Sequence, residues 1–383
     1  MPIAVPQRFL SIGVFLALVM GLHFASAADF QVFFGTYTNG SSRGIYSCRY
    51  NDHAGTFGAV HLAAESANPS FLAIHGNGRF LFAVNETNEY EGKASGAVSS
   101  FRIKEGGALE RINQVPTGGS APCHLTLDRN GRFLLIANYN GGNVSAIAIG
   151  SDGRLGEMTE KIQHLGKSVN RHRQSAPHAH SINLDPQGRF AAAADLGVDK
   201  VFVYPFDSRS GRVSLRGAQS LSLAPGAGPR HLAFHPTQSL AFVNNELHST
   251  LSSLAFDPST GKLNLIETRS TLPNDYSGGN STAETQVHPN GRYVYVSNRG
   301  HDSIAVFQFE PNRGSITLLE NEPTGGRTPR NFSLDPSGKF LLAANQSSDA
   351  VTLFRVNPSS GLLSATGTSL EVPTPVCIRF LRL

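Results

Sequence analysis

The feature that most constrains this chain is an internal repeat with a period of about 50 residues. Six segments can be laid over one another: 68–86 (NPSFLAIHGNGRFLFAVNE), 121–139 (APCHLTLDRNGRFLLIANY), 177–196 (PHAHSINLDPQGRFAAAADL), 228–246 (GPRHLAFHPTQSLAFVNNE), 282–299 (TAETQVHPNGRYVYVSNR) and 328–346 (TPRNFSLDPSGKFLLAANQ). Each reads as an alternating strand, a turn of the type Asp-Pro-x-Gly and a second, apolar strand. Proline fixes the entry to such a turn, and glycine supplies the positive φ it needs. A third strand follows, as at 143–149 and 303–309, then a polar glycine turn (151–153, 258–261, 312–314) and a weaker fourth strand. Four short strands per period form one blade of a β-propeller. No helical periodicity runs long enough to compete.

A seventh repeat is split between the ends. The stretch 375–380 (PVCIRF) is a first strand with nothing after it, and 30–37 (FQVFFGTY) is a second strand with nothing before it. Pairing them closes a ring and leaves no free sheet edge. The predicted fold is therefore all-β: a seven-bladed β-propeller of four-stranded antiparallel blades, closed by its N- and C-terminal strands, over 28–383.

Residues 1–27 are set apart as a signal peptide, to be removed. Arg8 precedes an apolar run to about Leu22 that ends in Ala25-Ser26-Ala27, the pattern of an export signal. The run is short against the ~20 residues of a spanning helix, and Ser11, Gly13 and His23 interrupt it. The expected location is periplasmic or secreted, with no membrane attachment after cleavage. Without Arg8, 31 Lys and Arg face 28 Asp and Glu, a surplus of three. That is too little for a nucleic-acid partner, which calls for a basic stripe or patch. Cys48, Cys123 and Cys377 have no metal-ligand spacing; one disulfide and buried free thiols both remain open. The chain has no Trp and no Cys-x-x-Cys-His, which argues against quinone-docking or haem-bearing propellers.

Function is sought where the repeats disagree. The first position after the second strand is Asn85, Asn138, Asp195, Asn245, Asn298 and Asn345, with Thr36 in the split blade. A side chain present in every blade serves the blade, by bonding turn backbone. The next position varies: Tyr37, Glu86, Tyr139, Leu196, Glu246, Arg299 and Gln346. So does the start of the first strand: Ser70, Cys123, His180, Arg230, Ala283, Arg330 and Val376. No blade needs both Glu and Arg at one place. Both variable columns face the same channel mouth, opposite the uniform turns, and a concave site with a few placed polar groups is a binding-site hypothesis.

These residues also carry a family resemblance. The stretches 226–231 (GAGPRH), 234–236 (FHP), 245–247 (NEL), 35–38 (GTYT), 177–181 (PHAHS) and 195–197 (DLG) resemble the propeller-type 6-phosphogluconolactonases across nearly all of 30–383. The same superfamily includes carboxymuconate lactonising enzymes, whose proposed site of one His, one Glu and two Arg falls on His180, Glu246, Arg230 and Arg299. The resemblance implies hydrolysis of a sugar lactone by a monomer without cofactor. His180 is then the general base, Arg230 and Arg299 hold the oxyanion or an anionic group, and Glu246 orients a neighbour or protonates the departing alkoxide. Arg330, Glu86 and Tyr139 are expected substrate contacts. No metal is expected, although His178 and His180, or His124 and His231, leave one open. There is no Ser in a nucleophile elbow. Two alternatives stand beside hydrolysis: a muconate-type cycloisomerase and a non-catalytic binding propeller. Export also sets a phosphorylated cytosolic sugar against an unphosphorylated or other external lactone as the substrate.

Overall fold

The computed structural model describes residues 1–2, 29–311 and 313–383; the predicted signal segment, apart from its first two residues, lies outside these. Seven antiparallel sheets follow one another along the chain, and the repeat boundaries are their boundaries. The inner strands, which line the channel, are Leu72–Ile74, Pro122–Leu127, Ala179–Leu184, Pro229–Phe234, Ser281–Val287 and Pro329–Leu334, with Pro375–Arg382 completing the ring. That last strand pairs with Asp29–Thr36, in a register running from Phe30 opposite Arg382 to Thr36 opposite Pro375. The split blade is thus assembled from both ends of the chain, as its complementary half-repeats predict. Among the described residues, no helix is long and apolar enough to cross a membrane.

The second strands are buried on both faces, so their sequences are continuous apolar runs rather than alternating ones. Phe80–Asn85 and Phe340–Asn345 contain no exposed residue. Clusters of Phe, Leu, Ile and Val fill the wedges between neighbouring blades. The turns behave as read: Gly188 adopts φ 69°, and both Asp185 oxygens accept backbone N–H groups of Gln187, Arg189 and Phe190. His75, His235 and His288 take the Asp role with Nδ1 and do something further. Nε2 of each lies 2.9–3.0 Å from the carbonyl of the following blade's turn glycine, Gly131, Gly291 or Gly338. An imidazole spans from one blade to the next where a carboxylate cannot.

The uniform column is structural, with partners differing from those expected. The amides bond third-strand hydroxyls and inter-blade carbonyls more than their own turns: Asn85 accepts from Ser99, Asn245 donates to Thr250 and Ser252, and Asn298 donates to Thr271 O and Ser303. Asp195 accepts from the backbone of His178 and Gly197 and lies 2.6 Å from His164 Nδ1.

The seam between blades makes a separable prediction. His288→Asp keeps the turn but loses the bond to Gly338, and is expected to lower stability by about 1 kcal/mol. His288→Ala loses both and should cost more. Denaturant melts of the two variants check the order.

Candidate active site

A β-bulge in the inner strands builds the site. In six of them pairing with the second strand skips the variable position, Ala283 among them: Ala179 and Ser181 pair with Asp195 and Ala194, leaving His180 unpaired. Cys123, Arg330 and Val376 are skipped in the same way, and Arg230 and His231 fall in the corresponding gap. A bulge re-aims the side chain it frees, and here the freed side chains face the channel. The other variable column is set by a repeated backbone bond. The N–H groups of Glu86, Tyr139 and Glu246 donate to the carbonyls of Asn68, Ala121 and Gly228, which turns the chain over the channel rim.

The two columns meet at Glu246. Its Oε2 lies 2.9 Å from Arg230 Nε, 3.1 Å from Arg299 Nη2 and 3.8 Å from His180 Nε2. The Arg230 contact is ionic rather than a directed hydrogen bond, because its Nε–H has no acceptor in line. The guanidinium groups are anchored elsewhere: Arg230 Nη1 donates to Ala283 O, and Arg299 Nη2 to Thr282 O at 2.9 Å. The four residues singled out from sequence therefore converge on one carboxylate. His180, Arg230 and Glu246 are buried, and Arg299 nearly so.

A fifth member was invisible to the repeat. Arg173 lies in the loop between strands Leu155–Gln163 and Ala179–Leu184, between two blades and ahead of the aligned segment that begins at 177. Its Nη2 donates to Glu246 Oε1 at 2.7 Å and to Tyr139 Oη at 3.1 Å. About 41% of this side chain is exposed, so it closes the cluster from the solvent side. The only sequence signal was the basic run Arg171-His172-Arg173 in that loop.

Across the mouth, Glu86 accepts from Tyr37 Oη at 2.8 Å and from Ser70 Oγ, and the Arg330 guanidinium stacks over the Tyr37 ring at 5.2 Å. Tyr37, Ser70, Glu86, Cys123, His180, Arg230 and Arg330 line one cavity. Glu246 and Arg299 of the ion cluster, and Tyr139 beside it, are not among that lining. Tyr139 stacks on His178 at 4.4 Å and meets His180 edge-on at 5.1 Å.

Electrostatics assigns protonation states. Burial pushes the Glu246 carboxyl up, but Arg299, Arg230 and Arg173 outweigh it and hold it at about 2. A carboxyl so acidic is ionised near neutral pH in the free site, which favours the orienting role for Glu246 over the expected protonation of a departing alkoxide. Burial, then Arg230 and His231, hold His180 well below the ordinary histidine value of 6.5, so the imidazole is neutral. Cys123 Sγ lies 3.5 Å from His180 Nδ1, but burial, with help from Glu86, raises its thiol; it stays protonated and is no thiolate nucleophile. All three cysteines are free and buried. Among the described residues, no three His, Cys, Asp or Glu side chains group as metal ligands.

Comparison with known proteins assigns the family. The model of the family described as "Lactonase, 7-bladed beta-propeller" matches residues 31–380. The chain belongs to the seven-bladed β-propeller lactonase family. Lactonases are carboxylic ester hydrolases. The 6-phosphogluconolactonase of Bacillus subtilis (strain 168) is 35% identical over 348 residues, covering 91% of this chain and 97% of that protein. The structure of a Pseudomonas aeruginosa periplasmic gluconolactonase superposes with a TM-score of 0.84 at 32% identity, over 92% of this chain and 99% of the other. A Lactobacillus plantarum protein gives 0.85 at 34% identity, over 92% and 99%.

The ion cluster predicts acid sensitivity. Glu246 is more acidic in the folded lactonase than the ordinary 4.5, so its contribution is present above pH 4.5 and fades as pH falls toward about 2. Glu246→Gln should remove that contribution and leave three guanidinium groups facing a neutral amide. The expected cost is about 3 kcal/mol at pH 7, shrinking in melts between pH 4.5 and 3.

Proposed function

We propose that this lactonase hydrolyses an anionic sugar lactone through general-base activation of water by His180. One observation carries the reading: a neutral, buried imidazole stands 3.8 Å from a carboxylate that three guanidinium groups keep ionised. Neutral His180 can accept a proton from water as the oxygen attacks the lactone carbonyl carbon. The imidazolium so formed lies beside Glu246, whose charge stabilises it. Arg230 and Arg299 supply the positive field for the developing oxyanion. The tetrahedral intermediate then collapses with cleavage of the ring C–O bond, and the imidazolium returns its proton to the departing alkoxide. Water is consumed, a hydroxy-acid is released, and His180 ends neutral.

Charge supports an anionic substrate. Arg173, Arg230, Arg299 and Arg330 face only Glu246 and Glu86 around this mouth, an excess of two positive charges. A phosphate or second carboxyl on the sugar would neutralise it, with Arg330, Glu86 and Tyr139 as contacts. Arg173 must yield as the substrate enters, and its half-exposed position lets it do so at little packing cost. The N-terminal sequence supports an exported enzyme, and the relative from Pseudomonas aeruginosa is described as periplasmic. A single chain supplies every group in this mechanism.

A pH-stat screen of residues 28–383 on lactones with and without phosphate tests the reading. His180→Ala should lower kcat by about 10²–10⁴ with the fold retained, and Arg299→Gln by about 10²–10³. Undiminished turnover in both would remove the assignment. The acid limb of the kcat/KM profile should lie well below pH 6.5, because His180 works deprotonated and its activity is lost only as pH falls through its depressed pKa.

A further inference from the structure

Beneath the Arg230 layer the channel opens toward the face of the Asp-Pro turns into a second cavity, of ≈ 530 Å³. It is separate from the ion cluster at Glu246, and its wall carries polar groups that nothing in the fold uses. Thr285 Oγ1, Asn183 Nδ2 and His231 Nε2 are buried atoms without a hydrogen-bond partner; all three residues line this cavity, and His231 borders the upper one as well. Thr285 and His231 are each more than nine-tenths buried. Arg379 lines it too. Its Nε and Nη1 donate to Leu72 O and Ile378 O and its guanidinium stacks on Phe71 at 4.5 Å, which leaves Nη2 unpaired among the described residues and held in a fixed direction.

The acidic group nearby is already spent. Glu284 Oε1 takes His231 Nδ1 at 3.1 Å and the backbone N–H of Thr285 at 2.9 Å, and Oε2 takes Asn331 Nδ2. The unspent capacity is therefore mainly that of donors, fixed around a guanidinium. Buried polar atoms left unpaired are costly, and each one calls for a partner. A metal cation does not suit a wall that carries Arg379.

We propose that this lower cavity is a binding site for a small carboxylate, with Arg379 Nη2 on the carboxylate and Thr285 and Asn183 on its remaining oxygens or hydroxyls. Its volume accommodates a six-carbon hydroxy-acid. The proposal does not rest on hydrolysis at the upper mouth, and its test needs no turnover.

The full chain is titrated calorimetrically with gluconate, with glucose as the neutral control, and crystals are soaked in gluconate. The expected results are density for a carboxylate at Arg379, ~10-fold weaker binding in Arg379→Gln and ~3-fold weaker binding in Thr285→Val. Glucose should leave the gluconate isotherm unchanged. Ordered water only in the lower cavity, density at the upper mouth alone, or unchanged affinity in both folded variants would overturn the proposal. Should Arg379→Gln fail to fold, the soak and Thr285→Val decide it.

Discussion

The pairing of Pro375–Arg382 with Asp29–Thr36 is the constraint on which the rest depends. A row of seven sheets has two open edges and no fixed axis; closing it defines a channel and fixes the distance across it. The closing strand also contributes to what the channel contains. Ile378 N donates to Asn331 Oδ1 at 3.0 Å, Cys377 packs beneath Leu72, and Arg379 places its guanidinium over Phe71. The end of the chain is thus part of the channel wall as well as the latch of the ring.

Within the closed ring, repetition and variation do different work at adjacent positions. Asparagine at the end of five of the seven second strands, with Asp195 and Thr36 in the other two, ties the strand to its third strand or to the loop beside it, so replacing it would loosen a blade. The bulged residue one strand inward has no such duty, because its place in the ladder is skipped. It can be Cys, His, Arg or Val without cost to the sheet. The fold therefore offers a ring of inward-facing positions whose identity is free, and two of them, with the residues that follow the second strands, supply the ion cluster. In the proposed mechanism lactone chemistry resides in these substitutions, and the propeller holds them in place.

This division explains what was legible in sequence. The blades were, since turn chemistry and apolar second strands recur at an even period, and so was the split repeat. His180, Arg230, Glu246 and Arg299 were legible as departures from a column. Arg173 was not, because a loop outside the repeat has no column to depart from. The ionisation of Glu246 was not legible either: whether a buried carboxyl is a proton donor depends on how many cations reach it, and the third is Arg173. His124 and His231 looked like neighbours fit for a metal. In the structure their rings meet edge-on at 5.3 Å, and His231 is engaged by Glu284, a residue in no variable column.

The Glu246 cluster is poorly explained as a stabilising device. Burying one carboxylate with two guanidinium groups costs several kcal/mol per ion in desolvation, and well-packed apolar residues often serve a core as well. Arg230 Nε and Arg299 Nε are left without acceptors even after the ion pairs form. A core selected for stability would have spent them. Unspent donors beside a neutral imidazole, under a single half-exposed arginine, fit the proposed role of holding an oxygen that arrives with a ligand. The same reasoning extends to the opposite end of the channel, where Thr285 Oγ1, Asn183 Nδ2 and His231 Nε2 stay unpaired in the cavity that Arg379 also lines. Unpaired buried atoms also occur in the scaffold, at Oδ1 of Asn138, Asn245 and Asn345, so it is their grouping around guanidinium groups in the channel, rather than their existence, that supports a ligand there.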